Sequence, residues 1–140
     1  MSKNMDLLKQ LGFKEAGEWF INDDGKLAVK FSSTKLRAST KVIYAFVQDG
    51  EVFYIGVSDN RLDTRMSGYR YPGKTQKTNI RVHQHLKELI EKTGKPVKIY
   101  ALASNAIDLK YEGVPVNVAA GLEGELIQRL RPKWNDQKKI

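Results

Sequence analysis

An Asp49-Gly50 pair separates two runs of β-branched and aromatic residues, Val42-Ile43-Tyr44 before it and Tyr54-Ile55-Gly56 after it. Asp-Gly is among the strongest short-range hairpin signals, because both central positions of a tight hairpin turn need positive φ. The segment predicts two antiparallel strands, Lys41–Val47 and Val52–Gly56, and any fold of this chain has to accommodate their pairing. Two registers are open. A two-residue loop pairs Ala45 with Tyr54 and turns Tyr44 to the opposite face, since strand side chains alternate. A three-residue loop, Gln48-Asp49-Gly50, with a bulge pairs Tyr44 directly with Tyr54. The second register is the one expected if the two phenols act together.

Helical periodicity takes over downstream. Leu62, Met66 and Tyr69 recur at i, i+4 and i+7, which predicts a helix between Gly56 and Tyr69, broken by Tyr71-Pro72-Gly73. A second helix is expected from Thr78 or Asn79, both plausible N-caps. It carries Val82, Leu86, Leu89 and Ile90 on one face and stops at Gly94. Val97–Ala103 reads as a third strand, a loop with Pro115 follows, and a last helix runs from about Ala119 to before Pro132. Upstream, Met5–Leu11 fits a short amphipathic helix ending at Gly12. Trp19, Ile21, Leu27, Val29 and Phe31 alternate with polar residues around Asp23-Asp24-Gly25, the pattern of another hairpin. Residues 32–40 are polar, carry Lys35 and Arg37, and read as a linker or an ordered loop that could touch a phosphate backbone. The expected organisation is an N-terminal helix-hairpin extension and linker over 1–40 and a main domain over 41–140.

The 140-residue chain contains no cysteine, which excludes disulfides and thiolate metal sites. His83 and His85 do not form a zinc pattern, and no apolar run reaches the length of a membrane span. The expectation is a cytoplasmic protein without a membrane partner. The net charge of +8 is concentrated: Arg61, Arg65, Arg70, Lys74, Lys77 and Arg81 are interleaved with Tyr69 and Tyr71 against the lone acid Asp63. Such a basic, aromatic stretch is either the footprint of a nucleic-acid binder or a solvated surface. Lys35, Arg37, Lys133, Lys138 and Lys139 could add to it.

Two charges fall on apolar helical stripes, where burial is costly unless the group is paired or used. Arg65 shares a face with Leu62, Met66 and Tyr69. Glu123 lies in the series Ala119, Glu123, Leu126, Leu130, whereas Glu125 points away. Either these are structural ion pairs, or an inward guanidinium and an inward carboxylate serve a phosphate and metal site.

Val42-Ile43-Tyr44, Tyr54-Ile55-Gly56, Arg65, Glu123 and Asn135, in this order, resemble the motifs of the GIY-YIG nucleases. The likeness covers roughly residues 41–137. The stretch from Leu122-Glu123-Gly124-Glu125-Leu126-Ile127 through Arg131-Pro132-Lys133-Trp134-Asn135 is similar to the closing motif of the excision-repair nuclease subunit, and the compact size to the small phage endonuclease II type. Val42 stands where the family name has glycine. The resemblance implies an α+β fold with a three-stranded, mainly antiparallel sheet flanked by helices. By position, it implies that Tyr44 is a general base or organiser of the attacking water and that Tyr54 supports the nucleophile. It further implies that Arg65 contacts the scissile phosphate, Glu123 binds the metal, and Asn135 braces the site. The family also places a histidine or lysine near the start of the next helix. Lys77 is the expected residue, with Lys74, Arg81 and His83 as alternatives.

The implied activity is metal-dependent hydrolysis of DNA phosphodiester bonds, with Mg²⁺ as cofactor and Mn²⁺ as a substitute. The competing reading is a nucleic-acid-binding domain that keeps the scaffold without cleaving. Arg61, Arg70, Lys74, Arg81, Lys35, Arg37 and Lys133 are the expected DNA contacts. Double-stranded DNA is the expected partner, and cutting both strands would take a second protomer or two successive events. A phenol is a poor base alone, so the resemblance also implies that neighbouring cations lower the pKa of Tyr44.

Overall fold

A computed structural model describes residues 3–135. Helix α1 (Lys3–Leu11) leads into the hairpin β1 (Lys14–Ile21) and β2 (Leu27–Phe31), and a single helical turn, α2 (Thr34–Arg37), follows. The expected central hairpin is β3 (Val42–Gln48) and β4 (Glu51–Ser58). Then come α3 (Leu62–Arg70), α4 (Lys77–Thr93), β5 (Val97–Ala103), a small hairpin β6 (Lys110–Tyr111) and β7 (Val114–Pro115), and α5 (Val118–Leu130).

The main sheet has five strands in the order β2-β1-β5-β3-β4, all antiparallel, which corrects the expectation of three. The N-terminal hairpin accounts for the difference, because β1 pairs along β5, with Trp19 opposite Val97. Its turn is closed by Asn22, whose Oδ1 accepts hydrogen bonds of 3.0 Å from the amides of Asp24 and Lys26. The supposed linker contains α2, capped by Ser33 Oγ, which accepts from the Leu36 amide at 3.1 Å.

Neither of the two registers considered for the central hairpin occurs. The turn is the two-residue one, with positive φ at both Asp49 (52°) and Gly50 (79°), and Gln48 faces Glu51. One residue later, Val47 faces Val52 but Phe46 faces Tyr54, so Phe53 is an extra residue in the ladder. Such a bulge shifts the register by one and flips the faces beyond it. Tyr44 thus comes to lie opposite Gly56, on the same face as Tyr54 but diagonal to it. β4 also runs past Gly56 to Ser58, and α3 begins only at Leu62. Helix α4 starts at Lys77 with Gln76 as its N-cap, so Asn79 lies inside the first turn.

β3 is buried along its whole length because both faces of the sheet are covered. On one face Tyr44, Phe46, Tyr54, Trp19 and Ile99 pack with Leu62, Met66 and Tyr69 of α3 and Val82 and Leu86 of α4. On the other, Ile43, Ala45 and Ile55 pack with Met5 and Leu8 of α1 and Leu126 and Leu130 of α5. No helix among the described residues is long and apolar enough to cross a membrane.

Candidate active site

Tyr44 is fully buried in β3, and its ring lies across Gly56 of the neighbouring strand. A Cβ added at Gly56 would stand 2.6 Å from the Tyr44 hydroxyl oxygen, so only glycine leaves room for the phenol there. The hydroxyl so placed meets a second one, Tyr69 Oη, at 2.6 Å. Tyr69 in turn donates to Tyr54 Oη at 3.2 Å, and Arg65 Nη2 donates to Tyr69 Oη at 2.9 Å.

A hydroxyl has one proton to give and two lone pairs to receive with. Since Tyr69 donates to Tyr54, it accepts from both Tyr44 and Arg65, and its capacity is filled. The chain of protons therefore runs Tyr44 to Tyr69 to Tyr54, and the proton of Tyr54 is the uncommitted one. Tyr54 is also the least buried of the three, 7% exposed against 0% for Tyr44 and Tyr69.

Arg65 and Tyr69 sit four residues apart on α3, one turn of the same helix face, and the guanidinium lies 4.2 Å from the Tyr69 ring centroid. Half-buried, Arg65 loses hydration, but the phenols facing it, Tyr44 foremost, offset this and raise its pKa. The phenols respond oppositely. Burial pushes the Tyr44 pKa far above the ordinary tyrosine value, outweighing the pull of Arg65. Burial likewise raises Tyr69, with the neighbouring phenols adding to the effect. The expectation that cations lower the Tyr44 pKa is thus overturned for the protein alone: desolvation wins.

Tyr69 is the hub of the cluster, whereas sequence reasoning placed it on the apolar stripe of a helix and within the basic, aromatic stretch but not in the site. Its spacing from Arg65 was the available signal. His83, an alternative for the family's histidine or lysine position, holds the hub from behind, with Nδ1 2.8 Å from the Tyr69 carbonyl oxygen. Arg81, another alternative, donates through Nη1 to the Trp134 carbonyl. Lys77 and Lys74 are exposed and contact none of the phenols.

Asn135 braces the strand that carries Tyr54. β4 is an edge strand, and the Asn135 side chain occupies its open side: Oδ1 accepts from the Ile55 amide at 3.0 Å, and Nδ2 donates to the Ile55 carbonyl at 2.8 Å. The neighbouring Trp134 amide donates to the carbonyl of the bulged Phe53 at 2.8 Å. The Trp134 ring is stacked between Phe53 and His85, with centroids 4.9 Å and 5.4 Å away.

Glu123 is not on the phenol side. α5 packs on the opposite face, so the inward carboxylate and inward guanidinium do not face each other and form no ion pair. Glu123 is half-buried between Ala119 and Leu126, and among the described residues it has no hydrogen bond or salt bridge. Burial raises its pKa above the usual carboxylate value. Glu125, by contrast, is paired with Arg129 at 2.8 Å. No cluster of three or more metal-ligating side chains occurs among the described residues. What Glu123 offers a cation is a single unpaired carboxylate, which suits Mg²⁺ completing its shell with water and phosphate oxygens.

The other expected DNA contacts differ in their freedom. Arg61 and Arg37 both hold Asp63, at 2.8 and 3.3 Å. Lys133 pairs with Glu51 at 3.1 Å, and Arg70 lies over the Tyr71 ring at 4.9 Å. Lys35 and Lys74 are exposed. Lys138 and Lys139 lie outside the described residues.

No protein-family model matches the chain, and no curated protein does. Among solved structures, the fold is similar to that of a mutant of bacteriophage T4 EndoII, with a TM-score of 0.62 and 23% identity over 93% of this chain and 95% of that one. It is also similar to the restriction endonuclease HPY188I in complex with product DNA, with a TM-score of 0.57 and 18% identity over 100% of this chain and 84% of that one. The N-terminal GIY-YIG endonuclease domain of UvrC from Thermotoga maritima superposes more loosely, with a TM-score of 0.44 and 22% identity over 74% of this chain and 92% of that one. The resemblance to the small phage endonuclease II type drawn from the sequence is matched at the level of the fold by the T4 EndoII structure.

Proposed function

We propose that this protein is a metal-dependent DNA endonuclease that hydrolyses phosphodiester bonds, with catalysis carried by the unit from residue 41 onward. The observation that carries the reading is the directed hydroxyl chain from Tyr44 through Tyr69 to Tyr54, braced by Arg65, on a fold shared with endonucleases.

Hydrolysis needs an aligned water, charge stabilisation on the phosphoryl oxygens, and relief for the leaving oxygen. Arg65 supplies the planar fork of donors for the phosphate. Tyr54 offers its uncommitted hydroxyl proton to a phosphate oxygen and its remaining lone pair to the attacking water, and Tyr69 and Tyr44 behind it polarise that hydroxyl. Burial favours Tyr44 as an organiser of the chain over a role as base. Glu123 would hold the divalent cation, Mg²⁺ or Mn²⁺ in its place. Bound there, the cation would neutralise charge on the phosphate. Lys77, Lys74 and Lys35 add free positive charge for the DNA backbone.

The full burial of Tyr44 and Tyr69 also favours a second reading, a nucleic-acid-binding domain that does not cleave. Incubation of supercoiled plasmid with Mg²⁺, Mn²⁺ or EDTA separates the two. Nicking that needs the metal supports the nuclease. Plasmid that is bound but stays intact with every divalent ion leaves the binding domain.

A further inference from the structure

Helix α3 has a second face that the phenol cluster does not use. Asp63, Ser67 and Arg70 recur at i, i+4 and i+7, and they line a groove whose opposite wall is the N-terminal hairpin, where Phe20, Val29 and Phe31 lie. Ser67, exposed and small, leaves the middle open. Two arginines enter this groove, each stacked on an aromatic ring. Arg37 lies 4.8 Å from the Phe31 centroid and Arg70 4.9 Å from that of Tyr71. Stacking fixes the plane of a guanidinium while leaving its edge donors free. Arg70 Nε is buried and has no hydrogen-bond partner, so the half-buried guanidinium meets a groove ligand through its terminal nitrogens. Asp63 is already held by Arg37 and Arg61, so its charge is answered. With Lys30 on the same wall, the groove is net positive. Tyr71, at its rim, is 67% exposed, and the ring face that Arg70 does not cover is open.

We infer that this groove is a second phosphate subsite, holding one strand of the DNA beyond the scissile linkage, with phosphate oxygens on Arg37 and Arg70 and a sugar or base against Tyr71. The chemistry is the pairing of guanidinium edges with phosphate beside an aromatic platform. It connects to the proposed active site through one helix: Arg65 and Tyr69 face one side of α3 and Arg70 the other. On this inference, the N-terminal hairpin exists to supply half of a nucleic-acid channel. The inference rests on the nuclease reading for its ligand.

Fluorescence anisotropy with a labelled 30-base-pair duplex in EDTA, repeated across a series of salt concentrations, tests it. The expected result for the double variant Arg37→Gln/Arg70→Gln is a Kd raised roughly tenfold and a salt slope shallower by about 2, one for each lost phosphate contact. Tyr71→Ala should weaken binding roughly fivefold with the slope unchanged; its exposed side chain makes misfolding no explanation. Affinity and slope equal to wild type in the double variant would overturn the groove while leaving the nuclease reading intact. A wild-type protein that binds no DNA would remove both. Inorganic phosphate that displaces the duplex at constant ionic strength would show a site for the free anion and overturn the strand assignment.

Discussion

The two faces of the sheet are built from alternate residues of the same two strands, yet they differ in kind. Tyr44, Phe46 and Tyr54 look toward α3 and α4, and the two tyrosines carry hydroxyls that must find partners. Ile43, Ala45 and Ile55 look toward α1 and α5 and carry none. On the phenol face the three hydroxyls and Arg65 are joined in one network, which leaves only the Tyr54 proton of that network to give away. On the aliphatic face the carboxylate of Glu123 is uncommitted among the described residues, held near the rim by apolar neighbours. A pre-arranged hydrogen-bond network suits fixed recognition of a phosphate, whereas an unpaired carboxylate suits an exchangeable ion.

The largest effect separating the faces should come from Arg65→Ala. Loss of one pre-organised donor costs about 10²–10³-fold in rate, so the initial rate of plasmid cleavage should fall by that much. The half-buried position on α3 should leave the circular dichroism spectrum intact. Undiminished cleavage would remove Arg65 from the site. Tyr69→Phe is next. It strands the buried Tyr44 hydroxyl at a cost of about 1–3 kcal/mol and uncouples Arg65 from Tyr54. Urea unfolding should show the lost stability, and cleavage should drop with it. Unchanged stability would mean that the chain of hydroxyls is incidental.

Gly56→Ala attacks the same face from the backbone. Its methyl group meets the Tyr44 ring, and overpacking of this kind costs about 1–3 kcal/mol. Its loss of stability should shrink when combined with Tyr44→Phe less than with Tyr44→Ala, because the ring and not the hydroxyl alone is in the way.

The smallest effect on stability belongs to the aliphatic face. The Glu123 pKa is raised in the folded protein, so the folded state binds the proton more tightly than the unfolded chain does. Stability is then full below the ordinary carboxylate pKa and declines as pH rises through the raised one. Glu123→Gln should therefore melt slightly higher than wild type at neutral pH and at the same temperature as wild type in mild acid, while losing metal-dependent cleavage. A lower melting temperature at pH 7 would show Glu123 to be structural. In the wild type, cleavage should fall on acidification with a midpoint above the usual glutamate pKa.

The contrast between the faces was partly legible in the sequence. Turn chemistry at Asp49-Gly50 and the helical spacing of Leu62, Met66 and Tyr69 are local signals, and the structure keeps both. Arg65 on an apolar stripe was visible as an anomaly. The bulge at Phe53 was not, because nothing in Val52-Phe53-Tyr54 distinguishes the extra residue; the partner carbonyl and amide groups come from residues 134 and 135, far along the chain. The five-stranded sheet was hidden for the same reason, since a hairpin's own pattern does not say which strand it will join. Tyr69 read as core because a phenol and a phenyl ring have the same periodicity. Only the folded arrangement reveals what its oxygen meets. Glu123 was recognised as unusual, but its spacing along α5 could not say which side of the sheet that helix covers.

Trp134 and Asn135 have a consequence apart from the chemistry. An uncovered outermost strand is a template on which another chain can grow, and β4 is rich in the residues that favour such growth. By filling the outward amide and carbonyl of Ile55 and the carbonyl of Phe53, this short tail stoppers the sheet like a zip end. A chain cut before Arg131 should lose that stopper and self-associate through β4, which light scattering would record as a concentration-dependent rise in mass.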